Sequence, residues 1–180
     1  MRFTLTRFTN IFIVVLLMSV FVASSAAKES VDIVSQGQAS KDKLIKSEVE
    51  TAVSMLQAIF AKHQKGEMGF AEAKKLGIDL LRELRYGSEG YFWADTTEGV
   101  NVVLYGRKDV EGRNRIDDKD QNGFFFIREF MKTAKGGGGY VEYWFPKRGE
   151  TLAQPKRSYV LLFKPFGWVV GSGYYRKKEK

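Results

Sequence analysis

Two adjacent cations, Lys156 and Arg157, open an alternating apolar run and are well placed in this sequence to hold an anion. Neighbouring side chains on a strand point to opposite faces, so one of the two can face a pocket while the other is solvated. A pocket for a small carboxylate needs one fixed cation and a few hydrogen-bond donors against an apolar wall. Tyr91, Trp93, Tyr143 and Tyr159 can supply donors and wall together, because each carries an apolar body with a polar tip. The same aromatics serve equally well as core filling on one sheet face. Arg107, in the polar stretch 106–122, is a further cation, although loop arginines are ordinarily solvated.

A second constellation is Asp118-Lys119-Asp120-Gln121-Asn122-Gly123 followed by Glu129. Its spacing fits a calcium loop, with Asp118, Asp120, Asn122 and Glu129 as ligands. Against that, no helical period leads into the loop, and Phe126 stands where a polar or water-mediated ligand belongs. A turn that starts a short helix, capped by Asp or Asn, is the simpler reading; calcium is the alternative. The chain has one histidine, His63, and no cysteine. Thiol catalysis and CxxC zinc sites are thereby excluded, and a catalytic dyad has little to build on. The run Gly136–Gly139 lacks the Lys-Ser or Lys-Thr ending of a phosphate loop and precedes a strand. The expectation is a protein that is not an enzyme and carries no cofactor.

These residues need a scaffold, and 180 residues with 44% hydrophobic content suffice for about one domain. The net charge of +8 comes from lysines and arginines spread along helical faces, a loop and the tail 176–180. No basic run interleaves with aromatics, so no nucleic-acid partner is expected. Residues 1–27 have the layout of a signal peptide: Arg2 and Arg7, an apolar run Ile11–Val22, then Ala23-Ser24-Ser25-Ala26-Ala27. The apolar run is about a dozen residues against the ~20 that span a bilayer comfortably; an uncleaved membrane anchor is the alternative. Both readings place the remainder outside the cytoplasm, periplasmic or otherwise secreted, or held at the inner membrane.

After a linker over 28–40, Ile45, Val49, Ala52, Val53, Leu56, Ile59 and Phe60 follow the helical period, predicting a helix from Lys41 to about Gln64. A second helix is predicted over Phe70–Arg85. Strand signals follow at Tyr91–Asp95, Asn101–Tyr105, Tyr140–Phe145, Arg157–Lys164 and Trp168–Tyr175, with a short helix over Phe124–Ala134 between the second and third. Short turns between sequential strands make an antiparallel sheet that the helices must cover, an α+β domain.

Five stretches then carry a resemblance: Gly90-Tyr91-Phe92-Trp93-Ala94-Asp95, Asp109-Val110-Glu111-Gly112-Arg113-Asn114, Gly139 through Lys147, Pro155-Lys156-Arg157-Ser158-Tyr159, and Pro165 through Tyr174. In order and spacing they resemble the single Cache family (type 2), the extracytoplasmic sensor domain of bacterial chemoreceptors and sensor kinases, over residues 41–175. The resemblance implies a PAS-like five-stranded antiparallel sheet, a long N-terminal helix, a second covering helix, and one pocket between the sheet and its covering loops. It also implies a short organic acid as ligand, Lys156 as its cation, a signalling protein as partner, and a homodimer through the N-terminal helix. Many members have a His-Pro pair where this chain has Leu104-Tyr105, and the usual membrane-spanning helix after the last strand is not seen. The alternative function is therefore a non-catalytic periplasmic accessory protein whose Cache pocket is filled by its own aromatics.

Overall fold

The computed structural model describes the backbone of residues 6–176 and the side chains of residues 33–176. Two compact units divide the chain, Met1–Lys41 and Asp42–Lys180. The expected leader, residues 1–27, lies outside the described side chains. The expected linker over 28–40 is instead helical, belonging to α1 (Thr6–Gln64). That stretch has no proline and a single glycine, Gly37, so nothing in it stops a helix from propagating. Among the described residues no helix is long and apolar enough to cross a membrane.

Within Asp42–Lys180, α1 buries Ile45, Val49, Ala52, Leu56 and Ile59, the stripe that the 3.6-residue period picks out. Helix α2 (Phe70–Glu83) buries Ala73, Gly77 and Leu81. Gly77 marks a close approach: a methyl group there would stand 2.9 Å from Leu56 and 3.3 Å from Trp168. Helix α2 ends two residues before its predicted limit, because Arg85–Tyr86 (β1) turns to pair with Gly90–Tyr91 (β2).

The predicted strand Tyr91–Asp95 is broken at Phe92 into β2 and β3 (Trp93–Thr96). The remaining strands are β4 (Asn101–Leu104), β5 (Gly139–Pro146), β6 (Ala153–Phe163) and β7 (Trp168–Tyr175). They form a five-stranded antiparallel sheet in the order β4-β3-β7-β6-β5. The last strand thus docks in the middle, joining the early hairpin to the late one. Two apolar cores result. One holds α1 and α2 residues with Phe92, Tyr159, Phe163, Phe166 and Trp168. The other holds Tyr91, Trp93, Leu104, Val141 and Tyr143 with Phe126, Ile127, Phe130 and Met131 of α3 (Phe126–Lys135). Fully burying such side chains contributes about 1.5–3 kcal/mol each.

Helix α3 begins at Phe126, with Phe125 at its N-cap and no side-chain cap, so the predicted Asp or Asn cap is not formed. Asp120 is used one turn earlier: its Oδ1 accepts the backbone N–H of Asn122 and of Phe124, and its Oδ2 accepts the N–H of Trp144. The carboxylate ties the loop to β5.

Candidate functional site

Strand register assembles the site. Lys156 on β6 is cross-strand partner to Tyr143 on β5 and to Tyr175 on β7, so one row of three residues spans three strands. Lys156 faces the α3 side of the sheet, and its neighbour Arg157 faces the other, as the strand period requires. Lys156 is 2% exposed, and its Nζ donates to Tyr91 Oη at 2.6 Å. It also lies 4.5 Å from the ring centroid of Tyr91, 5.0 Å from Tyr175 and 5.4 Å from Phe145. No described carboxylate comes within 4.0 Å of it. Burial works against this charge, and the oxygens of Tyr143, Tyr91 and Tyr175 outweigh it, holding the ammonium above the ordinary lysine range. Burial pushes the Tyr143 and Tyr175 hydroxyls up.

Lys156 borders a small cavity of about 10 Å³, walled by Trp93, Leu104, Phe126, Phe130 and Phe145, with Tyr143 and Arg115 completing it. That is room for about one water molecule. Trp93 is 3% exposed and stacks on Phe130 at 4.6 Å, and its indole Nε1 has no hydrogen-bond partner among the described residues. A buried donor left unmade costs about 1–3 kcal/mol. The ring can lie there because residue 171, opposite it on β7, is glycine: a methyl group would stand 2.3 Å from Trp93 Cζ2. Tyr143 Oη is paired with Ser158 Oγ at 3.0 Å.

Arg115 is the second cation at the cavity, and the sequence reading passed over it. It is 6% exposed, with Nη1 3.6 Å from Asp95 Oδ1 and Nε donating to Asp118 Oδ2 at 3.2 Å. Asp95 is itself fully buried, accepts from Asn101 Nδ2 at 2.8 Å, and has its pKa raised by burial against the pull of Arg115. The stretch 106–122 has no period that could flag a buried arginine; only its position one residue past the Asp109–Asn114 motif pointed there.

The remaining predicted residues separate. Tyr91, Trp93, Tyr143 and Lys156 come together. Tyr159 does not: it sits three residues after Lys156, hence on the opposite face, and packs edge-on against Tyr140 in the α1 core. Arg107 is exposed, held by Asp109 at 3.0 Å, and lines an outer cleft of about 320 Å³ rather than the cavity. Of the calcium alternative, Asp118 and Asp120 hold N–H donors, and among the described residues no group of three metal-binding side chains converges.

A five-stranded antiparallel sheet in the order β4-β3-β7-β6-β5, with helices packed on it, is a PAS-like α+β fold. The profile of the Single Cache domain 2 family matches residues 38–178, and the chain belongs to that family. It is 31% identical over 154 residues to the sensor histidine kinase MctS of Rhizobium johnstonii, an alignment covering 85% of this chain and 33% of the kinase. It is 29% identical over 128 residues to the methyl-accepting chemotaxis protein McpP of Pseudomonas putida, covering 71% of this chain and 24% of the receptor. The chain thus spans about a quarter to a third of these relatives. Two solved structures superpose on it. A periplasmic sensor domain of a chemotaxis protein gives a TM-score of 0.76 at 33% identity, covering 78% of this chain and 98% of its own. A Cache chemosensory domain solved for carboxylic acid recognition gives 0.75 at 30%, covering 79% and 98%.

Proposed function

We propose that this domain is an extracytoplasmic sensor of a short organic acid, binding the carboxylate at Lys156. The observation that carries the reading is a fully buried lysine with no carboxylate partner among the described residues. A buried charge is ordinarily paired, and here phenol oxygens and ring faces stand in for the anion. The orphaned Trp93 Nε1 supports the same assignment, since a carboxylate oxygen is the acceptor it lacks. In this reading the anion sits between Lys156, Tyr91, Tyr143, Trp93 and Arg115, with any short alkyl part against Leu104, Phe126 and Phe145. The cavity must widen to admit it, because a carboxylate is larger than one water. Widening gives the ligand different contacts in two settings of the domain, the requirement for a population shift.

The fold is not used catalytically in this reading. It reports occupancy to a signalling protein, as befits a domain like those of chemoreceptors and sensor kinases. The N-terminal segment exports or anchors it, and α1 carries the signal and a homodimer contact. A second reading, an accessory protein with a self-filled pocket, is favoured by one observation: the cavity is only about 10 Å³. Titration calorimetry of the full chain with acetate, propionate, pyruvate and lactate separates the two. Saturable one-to-one binding that is lost in Lys156→Met supports the sensor, and no binding across the panel supports the accessory protein.

A further inference from the structure

The cavity row has a twin one step along the same strands. Lys156 and Tyr175 are cross-strand partners, and so are the next pair, Arg157 and Tyr174. By the strand period, the first pair lies on the α3 side of the sheet, where Lys156 borders the cavity, and the second faces α1. Arg157 and Tyr174 both reach one residue there, Asp42. Arg157 donates through Nε to Asp42 Oδ1 at 2.8 Å and through Nη2 to Oδ2 at 3.0 Å, a bidentate fork. Tyr174 Oη donates to Asp42 Oδ1 at 2.9 Å, and Tyr140 Oη, under the Arg157 guanidinium, donates to the Asp42 carbonyl at 2.9 Å. The side chains of Asp42 and Arg157 are 17% and 20% exposed, so this fork is sheltered rather than a loose surface pair.

We propose that Asp42, Arg157 and Tyr174 are positioning residues that couple the state of the Lys156 cavity to the setting of α1. The inference rests on the sensor reading above. Whatever displaces Lys156 and Tyr175 must displace their backbone neighbours, and those neighbours hold the helix by directional, charge-assisted bonds. A shift of about 1 Å between these strands and α1 carries both contacts past hydrogen-bond range and breaks the fork, which makes it a discrete contact rather than a soft one. Glu142 steadies the arrangement from β5, accepting from Arg157 Nη1 and from Arg176 Nη1, each at 2.8 Å.

Hydrogen-exchange mass spectrometry on the full chain tests this with and without ligand. In ligand-free protein, Lys156→Met should change exchange of the α1 amides over residues 42–49 at least about threefold. In an Asp42→Asn background the same substitution should change them less than about 1.5-fold. Tyr174→Phe, which removes one hydroxyl and keeps the ring, should reduce the coupling part-way and guards against misfolding of Asp42→Asn. An equal response to Lys156→Met in both backgrounds, or none in either, overturns the proposal. A merely structural role for Asp42 would raise α1 exchange by the same factor whatever stands at 156. With saturating propionate, the wild type should show the α1 change and Asp42→Asn should not; a ligand-induced change of the same size in both refutes the coupling. If calorimetry finds that propionate does not bind, that counts against the sensor reading, and the ligand-free comparison decides the coupling by itself.

Discussion

Replacing Lys156 with methionine should weaken binding and leave the empty domain as stable as before, or more so. Methionine keeps most of the side-chain volume, so no large cavity opens. What is lost is one hydrogen bond to Tyr91 and three ring contacts at 4.5–5.4 Å. Net, the hydrogen bond is worth about 1.5–3 kcal/mol, and cation–π contacts about 0.5–2 kcal/mol each. Against these stands the desolvation of a fully buried ammonium, several kcal/mol in effect. The opposing quantities nearly cancel, and well-packed apolar replacements of buried ions range from neutral to about 1–4 kcal/mol stabilising. In the complex the ammonium gains an anion, and truncating one member of a buried charge pair costs about 2–5 kcal/mol. At about 1.4 kcal/mol per decade, affinity should fall at least about 30-fold. Calorimetry with the best-binding carboxylate measures the second quantity, and urea unfolding of the ligand-free chain measures the first. Affinity retained within about threefold, or a stability loss above about 3 kcal/mol, would refute the reasoning, since either would mean that Lys156 is a structural rather than a ligand-directed cation.

Trp93→Phe removes an indole N–H that has no partner among the described residues while keeping a ring against Phe130. Its unfolding midpoint should therefore change little beyond the lost ring volume, while carboxylate affinity falls by about tenfold, the worth of one hydrogen bond to a charged acceptor. Gly171→Ala drives a methyl group into Trp93 and should cost about 1–3 kcal/mol in urea unfolding, together with the binding site. Asp95 has its pKa raised, first by burial, so the folded state keeps this proton to higher pH than the unfolded chain does. Its contribution to stability is full below the unfolded carboxyl pKa and is lost as pH rises through the folded one. The stability of the wild type relative to Asp95→Asn should therefore fall over the pH window that opens above the unfolded carboxyl pKa of about 4. A difference that rises over that window would reverse the assigned sign.

How far the sequence spoke for the structure differs by element. The α1 stripe from Ile45 to Ile59 was legible because burial on one helical face imposes a 3.6-residue period. The opposed directions of Lys156 and Arg157 were legible from the strand period. The destination of Tyr159 was available from the same arithmetic, since residues 156 and 159 cannot share a face of one regular strand. It was grouped with Lys156 by residue type, and type does not encode side. Arg115 was hidden for a different reason: its burial comes from Asp95 and Asp118, partners brought to it by tertiary folding, and a loop carries no period to betray it. The extension of α1 through 28–40 has no buried stripe to announce it, since Ile33 and Val34 there are exposed. The closeness of Trp93 to Gly171 depends on β7 docking beside β3, a pairing of strands far apart in sequence.

The central claim is that a carboxylate completes the site of Lys156 and Trp93. The chain has three tryptophans, Trp93, Trp144 and Trp168, and their indole N–H groups give three separable signals in a nitrogen-15 correlation spectrum. Titrating propionate, and then the other short carboxylates, into the labelled full chain reads the Trp93 donor directly. The Trp93 signal should move downfield and saturate while that of Trp168, in the opposite core, stays in place. A Trp93 signal unmoved by every carboxylate that binds would contradict it.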